Sequence, residues 1–143
     1  APLMIGGDVR YINEIDTPEV WRILTNEEVI AIDQDALGEP ASVVQYYPDE
    51  WRRTLATYTK RLSDPASPRA VAVLNRGDDE ISWSLTKAHL KLEDDGCESL
   101  SLRDVWRHEV VASAIPFASL NDDAVLYTFD VESHATVVLR VMC

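Results

Sequence analysis

The hydrophobic period changes near residue 40, and that change limits what the chain can fold into. Before it, the residues read as a single β–α unit. Leu3-Met4-Ile5 is a continuous apolar run closed by Gly6-Gly7-Asp8, the pattern of a strand covered on both faces, as in a parallel sheet. A loop spans Asn13 to Asp16. Thr17 stands in a helix-capping position, Pro18 suits the first helical position, and Glu19 favours the positive end of the helix dipole. Val20, Ile23 and Leu24 fall on one helical face. Asn26 reads as a second cap, with Glu27 and Glu28 in the first turn ahead of Val29-Ile30-Ala31-Ile32. Leu37-Gly38, followed by Pro40, ends the segment. A lone β–α unit leaves both edges of its strand open. The expectation is therefore that residues 1–40 close a larger parallel β/α architecture, and that the chain is the C-terminal piece of a longer protein. A beginning at Ala1-Pro2, without Met, agrees with that reading.

From residue 41 the period is two. Ser42 to Tyr47 reads as a strand stopped by Pro48, and Leu55 to Leu62 as another. Asp64-Pro65-Ala66-Ser67-Pro68 is a turn-rich loop. Ala70 to Asn75 reads as a buried strand, followed by a turn at Arg76 to Asp79. Ile81, Trp83 and Leu85 alternate with Ser82, Ser84 and Thr86, the signature of a half-buried strand. Leu100 to Trp106 carries β-type patterning, Val125, Tyr127, Phe129 and Val131 alternate with their neighbours, and Ala135 to Met142 is rich in β-branched residues. Short strands separated by turn signals predict an antiparallel β-sandwich. The fold class expected is thus mainly β: a C-terminal antiparallel sandwich over 41–143, preceded by one β–α unit over 1–40. Val73, Trp83, Leu102, Phe129 and Leu139 are the expected core.

Composition narrows the function classes. Against 13 Lys and Arg stand 25 Asp and Glu, a net charge of −12 over 143 residues. Such a surface repels phosphate backbones, so nucleic acid and anionic membranes are excluded as partners. No apolar run approaches the ~20 residues of a membrane span, and the first seven residues lack the basic segment of a signal peptide. Cys97 and Cys143 form no metal motif and leave the redox compartment open. No Asn-x-Ser/Thr acceptor is present.

The chemical constellations are few. Asp33 and Asp35 place two carboxylates close in sequence, but positions i and i+2 at a helix end point apart, which favours turn chemistry over catalysis. Asp8 and Arg10 follow the first strand, where a β/α barrel carries its active site; an ion pair closing the barrel rim is the expectation. His89, His108 and His134 lack the spacing of metal ligands, and no metal or cofactor is expected. Trp83 alternates with apolar residues and reads as core. Trp51, beside Arg52 and Arg53, is the one candidate for an exposed carbohydrate-stacking platform.

Two stretches resemble a known family. Ala1-Pro2-Leu3-Met4-Ile5-Gly6-Gly7-Asp8-Val9-Arg10 and Leu24-Thr25-Asn26-Glu27-Glu28-Val29-Ile30-Ala31-Ile32-Asp33-Gln34-Asp35-Ala36-Leu37-Gly38 are similar to the end of the catalytic barrel in α-galactosidases of glycoside hydrolase family 27. That family shows an (A/S)PL-(I/M)-x-x-D-(I/V/L)-R strand and then NxEVIAxNQDxLG, where Asp33 here replaces the usual Asn. Val71 to Arg76 resembles its VALLNR strand, Asp104 to His108 its DLW-basic segment, and His134 to Arg140 its HGxVLLRL strand. The resemblance implies strand eight of a (β/α)8 barrel, its helix, and the antiparallel C-terminal domain. It also implies a parent enzyme that hydrolyses terminal α-galactosides with retention, through one aspartate nucleophile and one aspartate acid. The family places these in K-(Y/W)-D and R-x-x-x-D motifs, and neither occurs here: Lys60, Lys87 and Lys91 are followed by Arg61, Ala88 and Leu92. No catalytic residue is carried over, and the 143-residue chain is expected to be inactive by itself. A galactoside reached through the parent's barrel is the implied partner, homo-oligomerisation is compatible with the pattern, and a secreted or lysosome-like location is implied by the resemblance alone. The alternative reading is a stand-alone, non-catalytic sandwich that binds carbohydrate or protein.

Overall fold

The computed structural model describes residues 9–47, 54–92 and 97–143. The expected strand at Leu3–Ile5, Asp8, and Trp51 lie outside these residues. A single 3-10 turn, Val9–Tyr11, leads into α1 (Pro18–Leu24) and α2 (Glu27–Asp33). Eight strands follow: β1 (Ser42–Tyr47), β2 (Leu55–Arg61), β3 (Arg69–Asn75), β4 (Ile81–Thr86), β5 (Ser99–Asp104), β6 (Glu109–Pro116), β7 (Val125–Val131) and β8 (Thr136–Met142). One short helix, α3 (Lys87–Leu90), follows β4.

The strands form a six-stranded sheet in the order β1-β2-β3-β8-β5-β6 and a two-stranded sheet β4-β7. Every pairing is antiparallel. The expected sandwich is therefore present. The period of two sorts the large sheet into two faces. Leu55, Val71, Val73, Leu100, Leu102, Leu139 and Val141 are buried together with Trp83, Leu85, Leu126 and Val131 of the small sheet. Four of the five expected core residues sit there, while Phe129 is only partly buried against its edge. Phe117, just beyond β6, is the largest fully buried side chain. Its ring lies 4.5 Å from the Lys87 ammonium, which also donates to the carbonyl oxygens of Phe117 and Leu120.

The outer face of the large sheet carries a different row. Lys60 pairs in register with Ala70, Ala70 with Arg140, and Arg140 with Arg103. The row crosses β2, β3, β8 and β5, three strand spacings or about 14 Å. Its two ends, Lys60 and Arg103, hold the two ends of α2, as detailed below. Seven helical residues span about 10 Å, so a helix of this length with two long side chains matches the row.

Three local expectations change. Thr17 occupies the cap position of α1, yet its hydroxyl makes no bond into the helix. It instead donates to the Asn13 carbonyl (3.1 Å) and accepts from the Asn13 N–H (3.0 Å), closing the preceding loop. The Leu100–Trp106 strand ends at Asp104, whose carboxylate accepts from the N–H groups of Trp106 (2.8 Å) and Arg107 (3.1 Å) and turns the chain. In β7, one extra residue against β4 makes a bulge: Leu85 faces Tyr127 and Thr86 faces Val125. The bulge buries Leu126 and exposes Val125, against simple alternation. Cys97 and Cys143, left open by the sequence, form a disulfide with their Cα atoms 5.3 Å apart.

Candidate functional site

A groove of about 890 Å³ lies where the α1–α2 corner meets the β5–β6 hairpin. Asn26 builds its floor. Its side-chain oxygen accepts from the N–H groups of Glu28 (3.0 Å) and Val29 (3.1 Å), so it caps α2 as its position predicted. Its amide N–H donates to the Val105 carbonyl at 2.9 Å, a buried contact that seats the helix on the sandwich. One residue thus links a local signal to a partner 79 positions away.

Glu28 stands one turn further in. Arg103 donates to both of its carboxylate oxygens, each at 2.8 Å, in a bidentate pair. His108 Nδ1 lies 2.6 Å from the same carboxylate. The Arg103 hydrogen bonds hold the Glu28 carboxyl well below the usual carboxylate range, at about 2, with a smaller contribution from His108 and partial burial opposing both. Glu28 therefore stays ionised through the physiological range and cannot serve as a general acid. At the other end of α2, the Lys60 ammonium donates to the Ile32 carbonyl and, at 3.2 Å, to that of Asp33. A cation at a helix C-terminus satisfies the last carbonyls and complements the dipole. Trp106 lines the groove, and its buried indole N–H has no hydrogen-bond partner among the described residues.

The sequence-predicted candidates fall elsewhere. The Asp33 carboxylate accepts from its neighbour Gln34 (2.6 Å). Asp35 accepts from the Ser63 N–H (3.0 Å) and hydroxyl (2.8 Å) and from the Leu37 N–H (3.1 Å). These bonds, the Ser63 backbone bond first, hold its carboxyl below the usual range. The pair is turn and anchor chemistry. Nearby, Glu39 pairs with Arg61. Arg10 lies beside the Tyr11 ring, 5.8 Å from its centre. Trp83 is buried, with Tyr47 edge-on and His89 stacked, each at 5.7 Å. His134 meets Asp78 at 3.2 Å. The three histidines do not converge, and no group of three metal-ligating side chains is present among the described residues. Sequence reasoning missed the Glu28–Arg103–His108 cluster. Its members are 75 and 80 positions apart, and Glu28 by itself carries only the signal of a first-turn acid.

Polar contacts thus fasten one side of the α1–α2 unit to the sandwich. α1 and the chain before it carry exposed apolar side chains. Tyr11 (70% exposed), Ile15 (88%), Val20, Trp21 and Ile23 are all solvent-facing.

Comparisons with known proteins agree with this architecture. The family model described as the alpha galactosidase C-terminal beta sandwich domain matches residues 53–141. A probable alpha-galactosidase from Dictyostelium discoideum is 35% identical over 106 residues, covering 74% of this chain and 25% of that protein. A probable alpha-galactosidase A from Aspergillus clavatus is 28% identical over 141 residues, 99% of this chain and 22% of the other. Among solved structures, alpha-galactosidase I from Mortierella vinacea superposes with a TM-score of 0.73 at 24% identity, over 99% of this chain and 32% of that one. A putative alpha-N-acetylgalactosaminidase from Bacillus halodurans gives 0.72 at 20% identity, over 100% and 28%. At these identities the structures speak to the fold. The chain spans about a quarter of the length of the sequence relatives it matches.

Proposed function

The chain belongs to the alpha-galactosidase C-terminal beta sandwich family, and on that premise we propose that it serves a glycoside hydrolase that releases terminal α-galactosyl residues, steadying the catalytic domain of that enzyme. In this reading residues 1–40 are the last β–α unit of a (β/α)8 barrel and residues 41–143 the sandwich. The two aspartates of a retaining mechanism belong to the barrel, outside these 143 residues, and the chain alone does not turn over substrate. The observation that carries the reading is the contrast between α2 and α1. α2 is bonded to the sandwich through Asn26, Glu28 and its last carbonyls, while Tyr11, Ile15, Val20, Trp21 and Ile23, on α1 and before it, stand exposed among the described residues. Each such side chain left in water forgoes about 1.5–3 kcal/mol of burial, and a barrel wall supplies that burial.

The test is hydrolysis of aryl α-galactosides and aryl α-N-acetylgalactosaminides by the 143-residue chain and by the longer protein that contains it. The longer protein is expected to cleave the galactoside and the chain alone to be silent. Background-corrected turnover by the chain, abolished by replacing one of its own aspartates, would overturn the proposal. A longer protein that binds sugars without cleaving either substrate would also do so, in favour of a non-catalytic module.

A further inference from the structure

We propose that His89 is an acid-sensitive pin: its neutral imidazole joins edge strand β1 and the α3 turn to Trp83 in the core, and protonation of the ring releases the α3 turn. The inference stands apart from the enzymatic reading and rests on the ring's two nitrogens. His89 occupies the third position of α3, where a capping box ordinarily places Glu or Gln. Nδ1 lies 3.1 Å from the Thr86 backbone N–H, which can only donate. Nδ1 must therefore carry a lone pair, and the proton of the neutral ring sits on Nε2. Nε2 in turn meets Gln45 Oε1 on β1, an acceptor. The two contacts select a single tautomer. The ring face stacks on Trp83 at 5.7 Å with planes 24° apart, and Tyr47 of β1 meets the same indole edge-on. Three elements, β1, β4 and α3, thus converge on one imidazole.

Protonating Nδ1 would set two donors against each other at the Thr86 N–H and break the capping box, leaving the Thr86 hydroxyl, 3.2 Å from Nδ1, as the acceptor within reach. Compensation is scarce. β1, β2, β4 and α3, the elements packed around the ring, contain no Asp or Glu. Their titratable groups are Tyr46 and Tyr47 on β1, Tyr58, Lys60 and Arg61 on β2, and, besides His89, Lys87 on α3, with Lys91 just after it. Lys60 reaches the α2 carbonyls, Lys87 those of Phe117 and Leu120, and the Tyr58 hydroxyl accepts from Arg76. Asp122 shares a shallow pocket with Lys87 and Lys91, and His89 does not line it. No anion among the described residues is positioned to stabilise an imidazolium.

Burial alone lowers the ring's basicity from its usual 6.5. A base that is weaker in the folded state binds fewer protons there than in the opened state. The pin therefore holds above the ordinary histidine range and is lost as pH falls below 6.5 toward the lower folded value.

Two measurements on the 143-residue chain test this. The first is long-range 15N NMR of the His89 ring at about pH 7.5, above the histidine range. The Nε2–H tautomer is expected, and an Nδ1–H tautomer overturns the proposal whatever any variant does. The second is hydrogen exchange, corrected for intrinsic rates, between about pH 7.5 and about pH 5. Opening of segment 84–91 is expected to rise several-fold toward acid while 69–75 stays constant. His89→Asn, which keeps an acceptor near Thr86 but cannot titrate, is expected to flatten that rise. No rise in the native chain, or an equal rise in the variant, contradicts the pin.

Discussion

Asn75 shows how much one buried polar residue can organise. It ends β3 with its side chain fully enclosed. Its amide nitrogen donates toward the carbonyls of Asp79 (2.8 Å), Val131 (3.0 Å) and Glu132 (3.0 Å), and its oxygen accepts from the Gly77 N–H at 2.9 Å. It thereby ties the β3–β4 turn to the end of β7, joining the large sheet to the small one. The turn leaves no slack: a Cβ on Gly77 would stand 2.5 Å from the Thr54 methyl. Buried groups stripped of their partners each carry a desolvation penalty, so Asn75→Ala should lower stability by about 2–4 kcal/mol in denaturant unfolding. A loss below about 1 kcal/mol would mean that backbone bonds alone hold this corner. A strand-ending Asn before a turn was visible in the sequence; that its amide serves three carbonyls, two of them more than fifty residues away, was not.

At the scale of elements, α2 is held by electrostatics more than by apolar burial, for none of its residues is fully buried. Glu28 carries most of the pH sensitivity of that docking. Its carboxyl is lowered from 4.5 to about 2, first by the Arg103 hydrogen bonds. A lowered acid stabilises the folded state above its unfolded value, and that contribution fades as pH falls from 4.5 toward 2. The side chain is 21% exposed, so solvent screening makes about 3 kcal/mol an upper figure. Acid unfolding followed through α2 should fall more steeply in the native chain than in Glu28→Gln, which starts less stable and keeps only the slope of the other lowered carboxyls, Asp35 and Glu39. Identical acid profiles would contradict the role of the pair. The elements differed in how openly the sequence announced them. β3, β4 and β8 were legible because a half-buried or fully buried strand writes its period directly. β6 was not. Its pairing with β5 is interrupted twice, with Ala114 at φ 54°, so Val110 to Ile115 never alternate cleanly. Phe117 went unnoticed for the same reason, since it follows a strand without a readable period. The groove residues were illegible on different grounds: Asn26 and Glu28 advertise a helix start, and only the fold places Val105, Arg103 and His108 beside them.

Across the whole molecule, the Cys97–Cys143 bond fastens the segment before β5 to the end of β8, and the Cys143 N–H donates to the Ala66 carbonyl at 3.0 Å. The cysteines are 46 positions apart. Closing a loop of that size in the unfolded chain is worth about 4 kcal/mol on the chain-entropy scale. Paired Cys97→Ser and Cys143→Ser replacement should therefore lower the unfolding free energy by an amount of that order, and an unchanged midpoint under oxidising conditions would argue that the bond does not form. The larger question is how the sandwich relates to the α1–α2 unit. A polar clamp on α2 and exposed apolar side chains on α1 divide the unit into a part this chain can order and a part that needs a neighbour. Site-resolved hydrogen exchange, run on the 143-residue chain and on the longer protein containing it, separates the two. In the chain alone, amides of α2 should be protected and those of α1 should exchange far faster than β3; in the longer protein, α1 should slow to match the sandwich. Protection of α1 equal to β3 in the chain alone, or no change in α1 between the two proteins, would contradict a barrel seated on that face.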